Sequence, residues 1–201
     1  GVIPRNMYSY GAKWTGADIS ENQIMYAEKL SKSAGMDIDY IVASAEAVDY
    51  PDRTFDVITA CQCFMYFDKS IVLPKFHQML KNHGHFAILF MAWLPEESEI
   101  AKTSEDLVLK YNPAWTGGRV TRYELQEPPW CEGMFKAANM LTYELPVHFT
   151  RESWHGRMKA CRGIGASEIQ KWEQEHWEYM QSLPEKFDVL HYVTILDLEK
   201  I

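Results

Sequence analysis

Short apolar strands alternate with capped helices from Lys13 to Trp93, and this predicts an α/β fold with a mainly parallel sheet clothed by helices. Two further observations set the details. Ala12 to Ser20 runs a strand into a lone acid, Asp18, directly before a helix, the place where α/β nucleotide-binding folds hold ribose hydroxyls. Beyond Leu94 the rhythm changes, and the last strands, separated by two helices, read as an antiparallel close to the sheet.

Element by element, Pro4 to Tyr10 reads as the tail of a helix ended by Gly11, and Lys13 to Ile19 as a strand. Ser20 and Gln23 make a capping box, Ile24, Ala27 and Leu30 share one face, and Gly35 supplies the left-handed stop. Ile38 to Ala43 alternates as a strand with Ser44-Ala45-Glu46 at its tip, and Thr54 to Ala60 is a buried, β-branched strand. Asp68 caps a helix through Leu80, interrupted by Pro74; Asn82-His83-Gly84 reads as a turn, and His85 to Trp93 as the most hydrophobic strand.

Glu96 to Lys110 follows as a helix. The stretch from Asn112 to Gly133, crowded with Pro, Gly and Trp, is longer than an ordinary connection and reads as a functional lid. Strands return at Met140 to Phe149 and Phe187 to Leu198, around helices Arg151 to Arg162, capped by Thr150, and Ser167 to Gln181, capped by Ala166-Ser167. The organisation expected is a binding core over 1–94, a helix and lid-like insertion over 95–138, and strands and helices over 139–201 that complete the same domain.

Composition narrows the partners. The 201 residues are 47% hydrophobic with a net charge of −8 and lack a Lys/Arg run, which argues against nucleic acid or an anionic membrane as partner and leaves small molecules or proteins. The longest apolar stretch, Phe86 to Leu94, is far short of the roughly 20 residues that cross a bilayer, and the N-terminus has no signal-peptide pattern; a cytoplasmic location is expected. Cys61, Cys63, Cys131 and Cys161 contain no C-x-x-C pair, and the seven histidines show no ligand spacing, so free thiols and no metal are expected.

Gly1-Val2-Ile3-Pro4-Arg5, Gly16-Ala17-Asp18-Ile19-Ser20, Ala43-Ser44-Ala45-Glu46, Phe55-Asp56-Val57-Ile58 and Leu80-Lys81-Asn82-His83-Gly84 fall in a telling order and spacing. The chain resembles the class I S-adenosylmethionine-dependent methyltransferases, most of all the small-molecule group with the ubiquinone/menaquinone and trans-aconitate enzymes. The likeness covers Gly1 to about Leu94. It implies a Rossmann-like fold, S-adenosyl-L-methionine as cofactor, a small-molecule methyl acceptor, and a helical substrate cover inserted before the last strands.

The resemblance also implies roles. Gly1 is what remains of the glycine turn, Asp18 holds the ribose hydroxyls and Ile19 lies on the adenine face, although Ile19 also reads as an ordinary core residue. Ser44, Ala45 and Glu46 fall in the loop that reads the adenine amino group, with Ser44 standing where the family commonly has an acid. Cys61 and Gln62 face the methionine part, with a core thiol as the alternative for Cys61. Phe64, Tyr66 and Phe67 either shield a sulfonium or simply pack.

For the acceptor, the candidates are Tyr66, Trp115, and Trp154, Arg157 and Arg162 on the helix after Thr150. Positions 154, 157, 158, 161 and 162 share a helix face, which turns two arginines toward an acidic substrate unless they are solvated or paired with glutamates. By residue type His155 is the general base. In the family the strand before the glycine turn lies between the Asp18 and Asp56 strands, so residues ahead of Gly1 are expected in the natural protein, and weak cofactor binding without them. An inactive methyltransferase-like binding module and a nucleotide-dependent oxidoreductase are the competing functions. Oligomeric state is not legible.

Overall fold

The computed structural model describes residues 1–119, 122, 129–161, 163 and 168–201. Its elements are α1 (Val2–Met7), β1 (Thr15–Asp18), α2 (Glu21–Ser33), β2 (Asp39–Val42), β3 (Phe55–Cys61), α3 (Lys69–Met79) and β4 (Leu80–Trp93). They continue with α4 (Glu99–Tyr111), β5 (Phe135–Thr150), α5 (Arg151–Lys159), α6 (Ile169–Ser182) and β6 (Lys186–Lys200). The fold is mixed α/β, as the sequence predicts.

Two compact units emerge. The first comprises Gly1–Ile88, Glu127–Asn139 and Asp197–Ile201, and the second Leu89–Gln126 and Met140–Leu196.

In the first unit β1 and β2 pair in parallel, Thr15 beside Asp39 and Asp18 beside Val42. The helix between them begins where expected. Ser20 Oγ accepts the Gln23 N–H at 3.4 Å, Ile24 and Ala27 turn inward, and Gly35 takes φ +67° after the last turn. Among the described residues, β1–β2 forms one ladder and β3-β4-β6-β5 another, so β1 and β3 share no ladder. On β4 and β6 the residue numbers run oppositely: His83 meets Glu199 and His85 meets Asp197, each at 2.8 Å, the antiparallel sense expected for the last strand. The core is aromatic, with Phe86 ringed edge-on by Phe76 at 5.2 Å and Phe64 at 5.7 Å.

One expectation is corrected here. Asn82-His83-Gly84 is not a turn but lies inside β4, whose extended run begins at Leu80. His83 absorbs the turn-like composition in a single left-handed residue, φ +57°, while Lys81 and His83 find partners in Asp56 and Glu199.

The second unit is built around the helices α4, α5 and α6. Ala101, Val108, Trp154, Met158, Trp172, Met180 and Val189 form its core. Thr150 caps α5 with a reciprocal box, its Oγ1 accepting from Ser153 N at 3.1 Å and its N–H donating to Ser153 Oγ at 2.8 Å. The expected cap of α6 at Ala166-Ser167 lies outside the described residues.

Candidate functional site

In the first unit the C-terminal tips of three strands carry the cofactor candidates. Asp18 ends β1, half-buried; its Oδ1 accepts the Ser20 N–H at 2.8 Å and its main-chain oxygen accepts from Ala43 N at 3.0 Å. Oδ2 has no protein partner among the described residues. The carboxylate is therefore oriented by one oxygen, and the other stays available to a ligand hydroxyl. Ile19 beside it is 74% exposed, so it is not a core residue but an apolar surface at the strand tip.

After β2, Ser44 folds back on itself. Its carbonyl accepts from Ala47 N and Val48 N at 3.0 Å, and its Oγ accepts from Ala47 N at 3.3 Å. Glu46 is spent elsewhere. Its Oε1 accepts the Asp68 N–H at 2.9 Å and its carbonyl accepts Lys75 Nζ at 2.7 Å, tying this turn to α3. The Asp68 amide holds the Glu46 carboxyl below its ordinary range. The Ser44 hydroxyl is itself engaged by Ala47 N and by the Glu46 carboxylate within the same turn.

Cys61 ends β3, exposed, and the next residue, Gln62, adopts φ +60°, a left-handed conformation that costs a non-glycine residue energy. Gly1 is packed tightly: a Cβ there would stand 2.6 Å from Ala27 Cβ and 2.8 Å from the Tyr40 hydroxyl. Asp18 and Cys61 lie within electrostatic reach of one and the same thiol. It belongs to Cys63, which the sequence reading passed over; burial, then Cys61, pushes it up to about 11. Asp18, Cys61 and Cys63 converge. Phe64 and Phe67 pack edge-to-face, leaving Tyr66, 66% exposed, as the outward ring of the three.

The acceptor candidates of the second unit divide differently. Trp154 is fully buried and donates its Nε1–H to Ser104 Oγ at 2.9 Å, so it serves as core. Arg157 lays its guanidinium 4.9 Å from the Trp93 ring centroid, and Trp93 Nε1 donates to the buried Glu105 at 2.6 Å. Trp115 is wedged against Gly163, where a Cβ would lie 2.8 Å from the indole and 2.6 Å from Val108 Cγ1. Arg162 lies outside the described residues.

His155 is half-exposed. Its Nδ1 is 2.8 Å from His176 Nδ1, and its ring stacks on Trp172 at 5.4 Å and 16°. His176, fully buried, also faces Ser104 Oγ through Nε2 at 3.1 Å. Burial first, and His155 second, pull His176 down to about 3; burial also lowers His155. Sequence reasoning missed His176 and Ser104, because a histidine on an apolar helix face signals only packing.

No helix among the described residues is long and apolar enough to cross a membrane, and no metal-holding cluster of His, Cys, Asp or Glu occurs among them. Against known proteins, the family model described as "Methyltransferase domain" matches residues 1–88. The ubiquinone biosynthesis O-methyltransferase of Pseudomonas entomophila (strain L48) is 28% identical over 119 residues, 58% of this chain and 51% of that protein. The ubiquinone/menaquinone biosynthesis C-methyltransferase UbiE of Hydrogenovibrio crunogenus is 28% identical over 97 residues, 47% of this chain and 35% of that protein. The chain thus spans about half the length of these curated relatives, or less. Among solved structures, a putative type II methyltransferase from Anaeromyxobacter dehalogenans superposes with TM-score 0.60 at 16% identity, over 98% of this chain and 84% of that one. A putative methyltransferase from Bacillus halodurans gives 0.56 at 15% identity, over 99% and 87%. These two speak for the fold. Residues 1–88, which carry Asp18, Ser44 and Cys61 at their strand tips, are thus similar to the family described as a methyltransferase domain.

Proposed function

We propose that the protein transfers a methyl group from S-adenosyl-L-methionine to a small-molecule acceptor. The observation that carries this reading is the half-buried Asp18, pinned through one carboxylate oxygen and open at the other, beside the exposed Ile19. The residues present fit the cofactor. Asp18 Oδ2 would accept from a ribose hydroxyl, Ile19 would cover the adenine, and Ser44 Oγ or the Ala45 main chain would meet its edge. Gly1, Cys61 and Gln62 would flank the methionine end.

When bound, the cofactor supplies a methyl group already activated on a cationic sulfur, so the protein is left with positioning, exclusion of water and proton handling. For the acceptor, Tyr66 is the candidate in the first unit, and Trp115, Arg157 and Arg162 are the candidates in the second, where Trp154 serves as core. His155 is the candidate proton acceptor. The four thiols form no disulfide among the described residues, which favours a reducing, cytoplasmic setting.

Calorimetric titration and thermal shift with S-adenosylhomocysteine test the reading. Asp18→Asn keeps an acceptor for the Ser20 N–H but replaces the open oxygen with a donor, so the fold is expected to stand while affinity falls at least about tenfold, the worth of a charged hydrogen bond. Stabilisation by NAD instead would favour an oxidoreductase. No response to either would favour a binding module without catalysis.

A further inference from the structure

We infer that His176 fixes the tautomer of His155, leaving His155 Nε2 as an oriented proton acceptor for a small molecule that presents an O–H or N–H group. The hydrogen-bond lengths of the second unit favour one direction, because the Ser104 hydroxyl lies closer to the Ile100 carbonyl, at 2.7 Å, than to His176 Nε2, at 3.1 Å. Ser104 owns a single hydroxyl proton and donates it to the Ile100 carbonyl at 2.7 Å. The same oxygen accepts the Trp154 Nε1–H. With its proton on the Ile100 carbonyl, Ser104 accepts again towards His176, and His176 Nε2 then carries a hydrogen.

His176 is fully buried, with Trp172 stacked on it at 4.6 Å and 21° and no carboxylate bonded to it, so it is neutral. A neutral imidazole protonated at Nε2 has a bare Nδ1. The 2.8 Å contact then requires His155 to donate from its own Nδ1. His155 Nε2 is left with its lone pair, and it meets no protein hydrogen-bond partner among the described residues. Trp172 stacks on this ring and Trp177 stands edge-on at 5.3 Å, so the imidazole cannot turn without disturbing both.

The charged groups around the pair are few. Glu173 on α6 favours a charged His155 and Lys159 on α5 opposes it, and these two pair with each other. From α4 the facing group is Ser104. A proton leaving a bound O–H or N–H would pass to Nε2, and the imidazolium formed would keep its Nδ1–H on His176 Nδ1. His176 is a positioning residue. The class of acceptor follows by way of the methyl-transfer reading and rests on it: a hydroxyl or amine that must lose a proton, rather than a thiolate or a preformed anion. The tautomer itself does not depend on that reading.

Histidine-selective ¹⁵N NMR on the full chain, with Nδ1 and Nε2 resolved through their ring protons, tests the inference. The expected result at neutral pH is His155 protonated at Nδ1 and His176 at Nε2. His176→Asn, whose amide can stand in for Nδ1, should hold His155 in that tautomer. His176→Gln, which reaches Ser104 instead, should shift the His155 tautomer ratio roughly tenfold toward Nε2–H, about the worth of one net hydrogen bond. Diethyl pyrocarbonate, which acylates bare accessible nitrogens, should modify His155 and spare His176. A wild-type His155 protonated at Nε2, or one that resists the reagent, overturns the inference. Binding of S-adenosylhomocysteine, measured in parallel, should be the same in wild type and both variants; its failure in wild type would count against methyl transfer and leave the tautomer result standing.

Discussion

Acid should loosen the helical unit through His176 above the range of the depressed carboxylates, while Glu105, whose carboxyl burial raises from its ordinary value, works in the opposite direction. The ordinary imidazole value of 6.5 drops to about 3 in the folded chain, so between those values the unfolded chain binds more protons than the native one. Stability is fully present above about pH 6.5 and falls as pH approaches 3. At pH 5 the loss from this one group is about 2 kcal/mol relative to neutral pH. The figure hardly depends on how low the folded value lies, because pH 5 is already above it. For a chain of this size that is roughly 4–8 °C in Tm. His155, also lowered, adds in the same direction. Glu46, Glu175 and Glu199 have their carboxyls depressed from 4.5, so their acid losses come at lower pH, in a separate window. Melts followed by near-ultraviolet circular dichroism between pH 5 and 7.5 should show this slope in wild type and a flatter one in His176→Gln. Equal slopes would refute the reasoning, as would a midpoint near 6.5 in a direct NMR titration of wild-type His176.

Two further outcomes follow from steric fit and capping. Gly163→Ala should destabilise the second unit by about 1–3 kcal/mol, because its Cβ would meet Val108 Cγ1 at 2.6 Å and the Trp115 indole at 2.8 Å; a urea midpoint unchanged from wild type would mean the loop relaxes freely. Thr150→Ala removes the cap of α5 and should cost about 1 kcal/mol by the same measurement, with the Trp154 environment kept.

The strand-tip site was legible in the sequence because its chemistry is local. Asp18, Ser20 and Gln23 sit within six consecutive residues, and a cap and a candidate ligand acid both announce themselves by spacing. Ser44 could be placed the same way, but the use of Glu46 could not, since its partner amide is Asp68, 22 residues away. The composition of Asn82-His83-Gly84 misled for a related reason: flanking strands supply partners that propensity cannot foresee, and they hold the segment extended. The histidine pair was invisible. His176 and His155 are 21 residues apart and Ser104 a further 51 from His155, on three helices whose packing decides the contact. His155 could be chosen by residue type alone; that its neighbour dictates which nitrogen carries the proton is purely tertiary.

The Glu46 bridge has a mechanical side. The turn that presents Ser44 and Ala45 is lashed to the entry of α3 by a carboxylate on the Asp68 amide and by Lys75 on the Glu46 carbonyl. A ligand bound at Ser44 and Ala45 would therefore also stiffen α3, and local opening of that helix would gauge occupancy at the strand tips.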